Sequence, residues 1–205
     1  MLGEKKQAFT MVIEPTWERR PDFLALNPAG DVPVLADGQG LVLADATAIA
    51  EYLDETVAEP SLLGDDAAGR AEVRRLVGWF DDKFNREVTI NLVGEKLVKR
   101  QMGRSESPDS RAVREGYSFL PAHLDYLGAL AERRRWLAGE RISLADFTAA
   151  AHVSAVDYLG DIPWERYPQV KDWYARVKSR PSFRPLLTDH LPGMPPPAHY
   201  ADLDF

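Results

Sequence analysis

The chain has 205 residues, 45% hydrophobic and 28% charged, which supports a sizeable core in one or two domains and excludes a disordered or collagen-like polymer. With 32 acidic against 25 basic side chains the formal charge is −7, which repels phosphate backbones and makes nucleic acid a poor partner. There is no cysteine, so disulfides, thiolate zinc sites and a cysteine nucleophile are excluded together, and a reducing compartment is the expectation.

No apolar run reaches about 18 residues, and the opening segment is charged where a signal peptide is greasy, so a cytoplasmic chain without membrane insertion is expected. Residues 9–13 form a first short apolar run, followed by a stretch punctuated by Pro, Asp and Gly. Further runs at residues 32–35 and 41–43 flank Gly38-Gln39-Gly40 and suggest a hairpin. Over residues 45–55, Ala48, Ile49, Tyr52 and Leu53 fall at spacings of three and four, on one face of a helix. The first third therefore reads as α/β.

A linker is expected near Glu59-Pro60, beyond which strand signals fade. Residues 70–102 place Val73, Leu76, Val77, Phe80, Phe84, Ile90 and Val93 on an approximate stripe. Residues 111–136 do the same with Tyr117, Leu120, Leu124, Leu127 and Leu130, giving an antiparallel helical pair. Between them Ser105, Ser107, Pro108 and Asp109 form a polar turn that caps the second helix. Residues 143–158 are apolar around most of their circumference, as in a helix at the centre of a bundle, and Val170, Trp173, Tyr174 and Val177 mark one more amphipathic helix. The chain then becomes proline-rich from Pro192.

Ser143-Leu144-Ala145-Asp146 fits a capping box, with Asp146 in place of the usual Glu or Gln. In residues 27–35, Gly30 frees the backbone for a turn and Pro33 opens an apolar strand, where a cis bond is tolerated. These segments, the run Leu43-Ala44-Asp45-Ala46-Thr47-Ala48-Ile49, and Tyr167-Pro168 through Trp173 to Arg180-Pro181 occur in one order and spacing. Together they resemble the cytosolic glutathione transferase family over nearly the whole chain.

The resemblance implies an α/β thioredoxin-like domain at residues 1–59, an all-helical domain at residues 60–191, a proline-rich tail at residues 192–205, and a two-fold homodimer. It also implies glutathione-site positions. Val32, before the cis-proline Pro33, would pair its backbone with the cysteinyl part of glutathione, and an acid and a serine at the next helix start would hold the γ-glutamyl group. Here that pair is Asp45 and Ala46, so one hydroxyl is absent, at a cost of about 1.5 to 3 kcal/mol for a bond to a charged group. Leu2-Gly3-Glu4-Lys5-Lys6 resembles the end of the family's first helix. The first strand, the loop bearing the catalytic hydroxyl and most of that helix thus have no counterpart here, and a thioredoxin-like domain truncated at its N-terminus is expected.

Apart from the family, no catalytic constellation stands out. His123, His152, His190 and His199 lack metal spacing, and no G-x-S-x-G, Walker A or G-x-G-x-x-G motif is present. Neither a catalytic residue, a metal nor a cofactor is assigned, glutathione entering only under a transferase reading. Asp65-Asp66 and Asp81-Asp82 are read as helix-start or surface acids.

The tail carries His199, Tyr200, Asp202, Leu203, Asp204 and Phe205 after three prolines. Prolines favour an extended arm that loses little entropy on docking, either against the chain's own helices or on a partner. This ending resembles that of a branch of the family that binds the division polymer FtsZ, which implies an adaptor that needs no transferase chemistry, acting in the cytoplasm at the division site. Candidate contacts beyond the tail are Trp17, set among charges, and the basic cluster Lys96, Lys99, Arg100 and Arg104. The alternative is a glutathione-dependent transferase.

Overall fold

Two short strands, β1 (Val34–Ala36) and β2 (Val42–Ala44), pair antiparallel with Val34 opposite Ala44, closing the hairpin expected around the Gly-Gln-Gly turn. The computed structural model describes residues 1–103 and 107–203 and divides into two units, Met1–Ser61 and Leu62–Phe205. The second unit includes the residues of the tail.

In the first unit, α1 (Pro21–Leu26) begins on a proline, whose fixed φ and missing N–H suit the first helical turn. The helix α2 (Ala46–Thr56) buries Ala50 and Leu53 and is capped by Asp45. Lys5 is buried beside the far end of α2. Its ammonium donates to the carbonyls of Val57 at 2.6 Å and Pro60 at 2.8 Å and pairs with Asp54 at 2.8 Å, satisfying chain-end oxygens that a helix leaves bare. The run 9–13 joins no strand among the described residues, and Phe9, Met11, Val12 and Ile13 stand exposed.

The second unit is helical. A continuous helix α3 covers residues 67–101, followed by α4 (Ser110–Arg133), α5 (Leu144–Tyr158) and α6 (Pro168–Lys178). Asp66 caps α3 by accepting from the Gly69 N–H at 2.7 Å, and Asp109 caps α4 by accepting from Arg111 at 2.8 Å. Ser105 in the expected turn lies outside the described residues. In α5, Ala145, Ala149, Ala150, Val153 and Val156 are wholly buried, as its even apolarity predicts for a central helix.

The middle of α3, Trp79–Val98, is wound wider than an α-helix, with i→i+5 bonding such as Lys99 N–H to the Gly94 carbonyl. A wider turn keeps residues four apart on one face. Phe80, Phe84, Val88 and Leu92 are accordingly all fully buried, while Ile90, placed on the core stripe by α-helical spacing, is 54% exposed. That expectation for Ile90 is corrected by the change of period.

Candidate functional site

The β1–β2 register brings two chain segments to one end of the hairpin, because Val34 faces Ala44 and the next residues outward are Pro33 and Asp45. The Val32–Pro33 peptide bond is cis, and Val32 is 55% exposed. Asp45 adopts φ 80, a left-handed conformation that a short acidic side chain tolerates, and its carboxylate accepts from the Ala48 N–H at 2.9 Å. That bond engages one carboxylate oxygen of Asp45. Ala46 beside it is exposed and offers only a methyl group. A ligand carboxylate arriving here finds helix N-terminal amides but no side-chain hydroxyl at residue 46.

Trp17 lies in the same unit, in a single 3₁₀ turn (Thr16–Glu18), and is 42% exposed. Arg19 closes that turn at φ 47, and an ion pair between Arg20 and Glu14 ties its two flanks. Gly30 stands close by at φ +79, where a Cβ would meet Leu24 at 3.2 Å and the Arg19 guanidinium at 3.3 Å. The turn therefore presents an indole to solvent on a backbone fixed at both ends, a form in which a tryptophan can make a strong contact at little entropic cost.

The expected basic cluster is differently disposed. The Lys96 ammonium lies between the Asp161 oxygens at 2.7 and 2.9 Å and the Tyr117 hydroxyl at 2.6 Å. Lys99 pairs with Glu95 one helical turn away, and Arg100 donates to the Gly193 carbonyl at 3.0 Å. Each of these three cations thus has a partner inside the unit, while Arg100 is exposed and Lys96 and Lys99 are half-buried. Arg104 lies outside the described residues.

The tail folds back on its own helices. The Tyr200 hydroxyl lies 2.8 Å from Ser154 Oγ, and its ring meets Tyr158 edge-on at 5.1 Å between centroids. His199 Nε2 lies 2.8 Å from Oδ1 of Asp157, a carboxylate that also accepts from Trp164 Nε1–H at 2.8 Å. The buried Lys178 ammonium donates to the carbonyls of His199 and Asp202, and burial pulls its pKa down to about 8. Tyr158 donates to the Met194 carbonyl and accepts from the Leu191 N–H, both at 2.8 Å. Tyr200 and the imidazole edge of His199 are thus internal anchors. Asp202 keeps an exposed position, Leu203 is half-buried, and Asp204 and Phe205 lie outside the described residues.

Other polar side chains are equally engaged. His123 Nδ1 accepts from Trp79 Nε1–H at 3.2 Å, which turns its Nε2 proton toward Glu87 at 2.9 Å, and burial lowers its pKa. His152 lies 2.8 Å from Thr89 Oγ1 and 3.3 Å from Asp81. The Ser143–Asp146 capping box forms, and Asp146 also accepts from the Leu137 N–H at 2.9 Å and from Trp173 Nε1–H at 3.0 Å. These longer-range bonds of Asp146, like the clasp of Lys5, leave no signal in sequence, because their partners come from distant turns. Among the described residues no group of His, Asp and Glu is arranged to hold a metal.

A family model for the glutathione S-transferase N-terminal domain matches residues 1–56, and one for the C-terminal domain matches residues 112–176. The chain is 50% identical to the FtsZ-localized protein A of Caulobacter vibrioides, over 100% of this chain and 90% of that one. Among solved structures, FzlA from C. crescentus superposes with a TM-score of 0.94 at 50% identity, covering 100% of this chain and 91% of its own. A glutathione S-transferase from Rhodospirillum rubrum F11 superposes at 0.97 with 58% identity and the same coverages.

Proposed function

Since the chain belongs to the glutathione S-transferase family, we propose that it is a non-catalytic member of it, an adaptor that binds FtsZ filaments and regulates cell division and constriction. The observation that carries this reading is the 50% identity, over the whole chain, to a protein named for its localisation with FtsZ. Two features of the structure support it. Ala46 takes a side-chain hydroxyl away from the glutathione-site positions, and Trp17 is held exposed on a braced turn where a partner can reach it.

A homodimer suits this role, because a two-fold assembly presents each contact twice and engages neighbouring subunits of a filament at raised effective concentration. Its place is the cytoplasm at the division site, and it needs no cofactor there. The second reading, a glutathione-dependent transferase, is favoured by the 58% identity to a protein called a glutathione S-transferase.

Co-sedimentation with assembled FtsZ tests the first reading. The chain is expected in the pellet with polymer, and Trp17→Ala is expected to weaken that binding about tenfold or more, the loss typical of a truncated aromatic anchor. A chain that stays in the supernatant at every polymer concentration overturns it.

A further inference from the structure

His123 projects from α4 into the packing against α3 and is 2% exposed. Its two ring nitrogens meet groups of opposite kind. Nδ1 faces the indole N–H of Trp79 at 3.2 Å, and Nε2 faces a carboxylate oxygen of Glu87 at 2.9 Å. An indole nitrogen only donates and an ionised carboxylate only accepts, so both bonds form together only on a neutral ring with its proton on Nε2. A second proton would go to Nδ1, where two N–H groups would then oppose each other. Protonation therefore strengthens the contact with Glu87 and breaks the contact with Trp79.

His152 shows the contrast. Its ring lies 2.8 Å from the Thr89 hydroxyl and 3.3 Å from Asp81, and a hydroxyl either donates or accepts, so a proton gained by that ring leaves both contacts usable. The charged groups of α3 that face His123 are Glu87 and the Lys83 ammonium, which pairs with the other Glu87 oxygen. From α5, His152 meets the same Phe84 ring as His123, at 5.6 and 4.9 Å between centroids, with Asp81 beyond it. The third neighbour, α6, stands against α4 at Gly128 with the apolar Val170. Burial, seconded by Lys83, outweighs Glu87 and holds the His123 pKa below its ordinary 6.5.

Trp79 sits where α3 changes its winding. Its indole lies 4.4 Å from the Tyr126 ring between centroids, and the Lys83 ammonium stands 5.6 Å from the indole centroid. We propose that His123 and Trp79 form a proton-sensitive latch between α4 and α3, closed while the imidazole is neutral and opened when Nδ1 takes a proton from solvent. Opening frees the first turn of the wide segment and lets the half-buried indole turn outward. The face made by Trp79, Lys83 and Tyr126 thereby changes with acidity. This latch lies apart from Trp17 and from the positions around Asp45, and it does not rest on the reading of the chain as an FtsZ adaptor.

Nitrogen-15 NMR of the full chain, titrated from about pH 8 to about pH 5, tests the latch. One indole N–H signal is expected for each of the 5 tryptophans. The signal missing from Trp79→Phe is expected to move upfield, toward the position of an unbonded indole, with the midpoint of the His123 ring and below pH 6.5. The His123 ring, identified by its contacts with Phe84 and Trp79 protons, is expected to carry its neutral-state proton on Nε2. Glu87→Gln removes the carboxylate that favours the charged ring, so both midpoints are expected to fall together. In His123→Gln the Trp79 signal is expected to stay fixed, and the parent and Glu87→Gln carry the test if that variant does not fold. A Trp79 signal indifferent to the titration of His123, or one that titrates unchanged in His123→Gln, would overturn the proposal. So would a neutral ring protonated on Nδ1, midpoints that separate in Glu87→Gln, or all the indole signals moving at once.

Discussion

Asp45 and Ala46 show how much rests on single side chains at the start of α2. The Asp45 carboxylate is turned toward the Ala48 N–H, and residue 46 contributes only a methyl group. Restoring a hydroxyl with Ala46→Ser is expected to tighten glutathione binding by about tenfold to a hundredfold, the value of one hydrogen bond to a charged group, and titration calorimetry reads it directly. Glu72 gives a second residue-scale prediction. Gripped by Arg75 and also held by Arg134, its pKa lies at about 2, below its ordinary value of 4.5. The stability this brings is full above pH 4.5 and is lost as pH falls toward 2. The gap in melting temperature between the parent and Glu72→Gln should therefore close over that range. The Asp45-Ala46 pair was legible in the sequence because it sits beside strand and helix signals at fixed offsets. The Glu72 pair with Arg134 was not, since 62 residues separate the partners.

At the scale of elements, the winding of α3 decides which residues form the core. Leu92→Ala should cost about 2 to 5 kcal/mol by leaving a cavity, whereas Ile90→Ala should stay within about 0.5 kcal/mol, as denaturant unfolding would report. Equal losses would return the stripe to ordinary α-helical spacing. Where α3 crosses α4, a Cβ on Gly116 would come within 2.8 Å of Leu92, so Gly116→Ala should cost about 1 to 3 kcal/mol by overpacking. The tail clasp gives an alkaline counterpart to Glu72. Burial holds Lys178 at about 8, below its ordinary 10.5, so the folded clasp favours the neutral amine and gains stability as pH rises from 8 toward 10.5. Thermal melts of parent and Lys178→Met should diverge in the parent's favour across that window. Helix positions were legible because apolar spacing, the Asp66 and Asp109 caps and the Ser143 box are local signals. The wider turn of α3 was not, because one run of apolar residues fits two periods. The docking of the tail was not either, because it depends on the buried polar atoms of Asp157, Lys178 and Ser154 in two other helices.

For the whole molecule, the family was legible because its landmarks recur in a fixed order: the turn before Pro33, the start of α2, the capping box of α5 and the Trp173 helix. The fold is the family's common scaffold, so what decides between an adaptor and an enzyme lies in side chains at the site and on the surface. The ion pairs of the basic cluster were not legible, since charge alone in a sequence does not show that Lys96 and Lys99 face Asp161 and Glu95. The most direct measurement is the fraction of chain pelleted with assembled FtsZ across a range of glutathione concentrations. The account predicts a pelleted fraction that saturates with polymer and does not change as glutathione rises. A chain that ignores the polymer while binding glutathione, or that leaves the pellet as the tripeptide is added, would contradict it.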